Sequence, residues 1–147
     1  MSWDLPHPFT CQWILTEAQM DHYGHINNAE YLKMTETLSW QHSGYLGLTL
    51  DDYRAQDRAM VVVRHELDYL APAYAGDCVE LATWVVECDG RNRLARRFQL
   101  QRKADAKTLF KARTLFACVS LKSHRPRRLP DTFLSAYLPA LVTDVSQ

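Results

Sequence analysis

The chain has 147 residues, the length of one domain with room for a substantial apolar core. Apolar residues make up 47% and charged residues 23%, and 17 Lys plus Arg balance 17 Asp plus Glu, so no overall field marks the chain for nucleic acid or an anionic membrane. No apolar run approaches the roughly 20 residues of a membrane span, and the opening MSWDLPHPFT lacks the basic and apolar regions of a secretory leader, which makes the cytoplasm the expected compartment.

The first element expected is a short strand in TCQWILT, residues 10–16, with Cys11, Trp13 and Leu15 on one face. A polar loop follows, and then a helix from about Asn28 to His42. There Ala29, Tyr31, Leu32, Met34 and Leu38 recur at three- and four-residue spacing, and Gly44 stands where a C-cap would fall. From residue 60 the period changes to two. Val61, Val63, His65, Leu67 and Tyr69 alternate with Val62, Arg64, Glu66 and Asp68, as in a half-buried strand. Pro72 and Gly76 then punctuate a turn. Three further strands are expected at about 78–88, 93–102 and 108–121, with turns at DGRN and KADAK. The tail SHRPRRLPDTFL reads as an extended exit.

One long helix with four or five antiparallel strands is an α+β arrangement. No repeat, low-complexity tract or linker divides the chain, so residues 1–147 are read as a single domain. Cys11, Cys78, Cys88 and Cys118 are scattered through apolar contexts and are expected as reduced thiols. A curved sheet covered by one helix leaves one face partly bare and has open edges, which favours at least a homodimer.

The chemistry is concentrated in MDHYGHINNAEYL, residues 20–32. A turn needs only the glycine and an asparagine, yet an acid and two histidines crowd in as well. The loop brings Asp21 and His25 toward the start of the helix, where unpaired N–H groups carry about half a positive charge. Such an end can hold a carbonyl oxygen that turns negative under attack, while a carboxylate attacks the carbon or activates water. Each residue also has a plainer role open to it. Asp21 can cap a turn, His25 can be a packed histidine, and Asn27 with Asn28 can be an ordinary N-cap pair. His22 and His25 have ligand spacing but no third ligand near in sequence, so no metal is expected.

Together Asp21, Gly24, His25, Ile26, Asn27, Asn28, Tyr31 and Leu32 spell D-x-x-G-H-[IV]-N-N-x-x-Y-L. This string resembles the hallmark of the hot-dog-fold acyl-CoA thioesterases, in particular the 4-hydroxybenzoyl-CoA thioesterase-like family. VVVRHELDYLAPAYAGDCVEL resembles that family's second strand and following turn, and RTLFACVSLKSHRPRRLPDTF is similar to its last strand and exit. The resemblance implies a helix wrapped by a five-stranded antiparallel sheet, and active sites at a homodimer interface, with a tetramer of two dimers left open. It implies hydrolysis of an acyl- or aryl-CoA to free acid and CoA, the coenzyme entering only as part of the substrate.

By the same resemblance the catalytic set is Asp21, His25 and Asn28, with Asp21 as nucleophile or general base and the Asn28 N–H, or a neighbour's, polarising the carbonyl. Gly24, Asn27, Tyr31 and Met34, with Val63 of the partner subunit, would line the substrate. Arg91, Arg93, Arg125, Arg127 and Arg128 are candidates for the CoA phosphates. Many relatives carry a second acid two positions before the catalytic one, where this chain has Gln19. Without that repulsion Asp21 is expected to be an anion from mildly acidic pH upward. A non-catalytic acyl-CoA-binding module on the same fold is the alternative; a hydratase fits the motif less well.

Overall fold

The computed structural model describes residues 2–143. Five strands form one antiparallel sheet: β1 (Phe9–Ile14), β2 (Arg58–Tyr69), β3 (Cys78–Cys88), β4 (Arg93–Arg102) and β5 (Lys107–Ser120), in the spatial order β1-β3-β4-β5-β2. The sheet curls around a central helix, α1 (Asn28–Tyr45). Two shorter helices, α2 (Leu50–Ala55) and α3 (Asp131–Tyr137), were not expected from the sequence. The tail therefore is extended only to Pro130 and then coils, burying Phe133 and Tyr137.

The long helix runs past the expected stop at Gly44. It ends at Tyr45, and Gly47, two residues on, reverses the chain at a φ of +95° and little steric cost. The Leu48 N–H then returns to Ser43 O at 2.8 Å and the Gly47 N–H to Gly44 O at 3.0 Å, the two bonds of a Schellman cap. Leu48 is buried beyond it and seals the end.

One stripe of α1, Tyr31, Met34 and Leu38, packs into the main core with Leu15, Ile26, Leu81, Leu100, Leu109 and Phe110. Each such side chain stabilises the fold by about 1.5–3 kcal/mol relative to exposure. β3 is buried on both faces for most of its length. Its outer face, expected to be partly bare, is covered by the N-terminal segment. Leu5 packs against Ala82, Trp84, Val86 and Ala95, and the Trp84 indole N–H donates to Pro6 O at 2.9 Å.

β2 departs from strict alternation. A bulge lies between Val62 and Arg64 in its pairing with β5. The extra residue, Val63, shifts the phase, so Val62 and His65 face the same interior space. The single-face set Val61, Val63, His65, Leu67 and Tyr69 is thereby broken after Val63. Cys118 is buried, Cys11, Cys78 and Cys88 are half-buried, and all four are free thiols. Among the described residues no helix is long and apolar enough to cross a membrane.

Candidate functional site

The loop before α1 is a tight hairpin built by its own backbone. Asn27 N–H donates to Gln19 O at 2.8 Å, Met20 bridges Ile26, and Asp21 N–H donates to His25 O at 2.7 Å. Gly24 makes the reversal at a φ of +78°. A second tie runs to the turn after β2, where Ala73 O accepts the Ile26 N–H at 2.9 Å. The Tyr74 ring meets the His25 ring edge-on at 5.4 Å. The neighbouring APAYAGD turn thus holds the loop in place.

Within the hairpin the Asp21 carboxylate accepts the N–H groups of Tyr23 at 2.8 Å and His25 at 3.1 Å, both through Oδ1. Burial raises its pKa, but these two donors and the charges of His25 and His22 outweigh that and hold it below the usual carboxylate range. Asp21 therefore does cap a turn, and it does so as an anion. Among the described residues no hydrogen bond engages Oδ2, so one oxygen stays available.

The helix start shows a selective pattern of satisfied donors. Asn27 Oδ1 accepts the Ala29 N–H at 3.0 Å and Asn27 O accepts the Glu30 N–H at 2.9 Å. Among the described residues the Asn28 N–H has no acceptor. It is a free donor at the positive end of an 18-residue helix. Gln19 completes a capping box with Thr16 and donates to Glu30 at 3.4 Å.

A cavity of about 360 Å³ opens one helical turn further on, beginning at Leu32 and running to Ser43. Met60, Leu94, Phe98 and Phe116 give it apolar walls from the sheet. Tyr31, Met34 and Val63 do not line it. The first two are buried in the main core, where Tyr31 stacks on Phe110 at 4.7 Å, and burial with the nearby Tyr69 raises the Tyr31 hydroxyl to about 12. Val63 is half exposed on β2.

The polar end of the cavity was not anticipated. Arg96, only 2% exposed, donates to His42 Nδ1 at 2.6 Å and to Ser43 Oγ at 3.2 Å. Ser43 Oγ also bonds the Tyr137 hydroxyl at 2.8 Å, and Tyr137 in turn bonds Tyr53. Burial and the adjacent Arg96 push His42 down to about 3, so its imidazole is neutral and its Nδ1 accepts. Burial and the neighbouring Tyr137 raise Tyr53 far above its ordinary value, keeping that hydroxyl neutral. On β2, His65 Nδ1 pairs with Thr114 Oγ1 at 2.8 Å. Two signals for this cluster stood in the sequence. The alternation Leu94, Arg96, Phe98, Leu100 carries a cation on an apolar face, and His42 falls four residues after Leu38. The partners Tyr53 and Tyr137 come from the two short helices, which had no signal of comparable strength.

The five candidate arginines divide. Arg91, Arg127 and Arg128 line one shallow depression with Asn92 and Pro126. They meet because Leu129 N–H donates to Arg91 O at 2.6 Å and Arg127 N–H to Cys118 O at 3.0 Å. Arg125 is exposed and Arg93 half-buried, and neither lines that depression.

A helix held in a five-stranded antiparallel curl, with an acid loop at its N-terminus, is the hot-dog arrangement. The family model of the thioesterase-like superfamily matches residues 15–137, and the chain belongs to that superfamily of thioester hydrolases. The long-chain acyl-CoA thioesterase FadM of Escherichia coli is 26% identical over 110 residues, covering 72% of this chain and 79% of FadM. Slr0204, a 1,4-dihydroxy-2-naphthoyl-CoA thioesterase from Synechocystis, superposes with a TM-score of 0.81 at 20% identity, covering 96% of this chain and 99% of that one. SAV2348 from Staphylococcus aureus, solved in complex with CoA, gives 0.85 at 17% identity, covering 99% and 92%.

Proposed function

We propose that the protein hydrolyses acyl-CoA thioesters to the free acid and CoA, with Asp21 as nucleophile or general base and the Asn28 N–H holding the carbonyl oxygen. The observation that carries this reading is the free Asn28 donor at the helix start, preceded by a loop that keeps Asp21 ionised. A thiolate leaves without prior protonation, so a single carboxylate suffices. His25 contributes its backbone N–H to Asp21, and Gly24 and Asn27 shape the hairpin and the cap. The acyl group lies in the cavity that starts at Leu32.

Arg91, Arg127 and Arg128 are the phosphate contacts this reading favours, since they alone of the five share one depression. The reading also includes a cytoplasmic homodimer. Its support is the edge strand β2, whose Val61, Val62 and Val63 are 42%, 49% and 50% exposed, an uncovered apolar edge of the kind that pairs with a second copy. FadM and the CoA-bound SAV2348 support CoA as the thiol carrier.

Thiol release from a panel of acyl-CoAs tests the mechanism. Asp21→Asn is expected to lose roughly 10²–10⁴-fold in kcat with an unchanged circular dichroism spectrum. Activity that survives the substitution would remove Asp21 from the reaction, and acyl-CoA binding without turnover in the wild type would leave a binding module. The depressed Asp21 pKa carries a sign: its active anion persists above that pKa, so kcat/KM should be level from mildly acidic pH upward. A climb of one titrating group through about pH 8 would contradict it.

A further inference from the structure

The cavity holds a buried cation without a paired anion, and Glu36, the one carboxylate in its lining, is exposed on the helix and forms no ion pair with it among the described residues. Arg96 is 2% exposed, and among the described residues no carboxylate pairs with it. Its partners are a neutral imidazole and the hydroxyls of Ser43 and Tyr137. A buried guanidinium normally sits against a carboxylate, because neutral acceptors repay little of what it loses on leaving water. Its fork has five donors, and its side chain lines the cavity wall rather than sealed core.

We propose that the cavity takes an acyl group bearing a carboxylate at its far end, held by Arg96 as a charge-assisted pair. This rests on the reading that the cavity receives the acyl part of a thioester, and it names the substrate class: monothioesters of long α,ω-dicarboxylic acids. The apolar walls at Leu32, Met60, Phe98 and Phe116 accept the methylene chain. Ser43 lies eleven residues beyond Leu32, about 16 Å along the helix axis. At roughly 30 Å³ per water-sized group, the space holds about twelve non-hydrogen atoms. A chain of that length, with further carbons back to the thioester, brings its terminal carboxylate to Arg96.

The test compares kcat/KM for CoA thioesters of twelve- to sixteen-carbon diacids with those of the matching monoacids, on wild type, Arg96→Met and Arg96→Lys. Wild type is expected to favour the diacid ester by about tenfold or more at its best length. Arg96→Met should erase that ratio, and Arg96→Lys should retain part of it. A ratio near one at every length, or one unmoved in Arg96→Met, overturns the proposal. A binding arm needs no turnover and no variant. Dodecanoate should raise the wild-type Tm more than its methyl ester does, and an equal rise overturns the anion site even if Arg96→Met fails to fold. Should no thioester be cleaved while dodecanoate still stabilises the protein selectively, the hydrolase reading falls and the anion site stands.

Discussion

The two flanks of the central helix bury against opposite chemistries. Tyr31, Met34 and Leu38 enter a dry cluster of leucines, isoleucine and aromatic rings. Thr35, Ser39 and Ser43 face a cavity whose far end is a linked set of a guanidinium, an imidazole and two phenols. One flank exists to be filled by the protein itself, so its side chains are chosen for volume. The other is left open and polar, so its side chains are chosen for what they present. A helix that serves both carries hydroxyls on an inward flank, where a purely structural helix would carry more leucine.

Substitution on the dry flank should have the largest effect on stability. Leu38 is fully buried, and Leu38→Ala is expected to cost about 2–5 kcal/mol in urea unfolding, through lost transfer energy plus a residual cavity. The folded remainder should keep its thiol-release specificity, since Leu38 does not line the acyl cavity. A cost below about 1 kcal/mol would mean that the dry flank is loosely packed and differs little from the polar one.

The polar flank should reveal itself in acid. His42 is buried and stacks on Phe9 with ring centroids 4.8 Å apart. Burial and Arg96 depress it to about 3 from an ordinary 6.5. Because the folded value lies below the unfolded one, the unfolded chain binds the extra proton between these two pH values. The stability held above the upper one is lost as pH falls toward the lower. The slope for one such proton is about 1.4 kcal/mol per pH unit, a few kcal/mol over the window. His42→Gln keeps an acceptor for Arg96 but does not titrate. Its urea midpoint should fall less steeply from pH 6 to 4 than that of the wild type, and parallel curves would mean that His42 is solvated.

How much of this could be read from the sequence follows the same division. The turns at DGRN and KADAK located β3, β4 and β5 within a residue or so, and the spacing of Tyr31, Met34 and Leu38 located α1 and its dry stripe. The hairpin motif marked the acid, the turn and the cap together, because each depends on local backbone chemistry. The bulge at Val63 was hidden: one inserted residue leaves composition unchanged and is detected only when the partner strand is known. The short helices were hidden too, since six or seven residues give too little periodicity to register and their stability comes from packing. With them went Tyr53 and Tyr137, and so the recognition that Arg96 and His42 belong to one cluster.

The smallest effect separates support from chemistry at the helix start, where the dry flank begins. Asn27 Oδ1 caps the Ala29 N–H and leaves the Asn28 N–H free. Asn27→Ala removes that cap and should cost about 0.5–2 kcal/mol. Asn27→Asp keeps an acceptor of the same shape and should hold nearly full stability, since a carboxylate suits a helix N-terminus. It also places a negative charge one residue from the donor that is to stabilise an oxyanion, which works against the developing charge. Thiol release should therefore fall more in Asn27→Asp than its stability does, with kcat lowered more than KM is raised. If the aspartate variant is as active as wild type, the carbonyl oxygen is held by some other donor, and the free Asn28 amide is only an ordinary helix end.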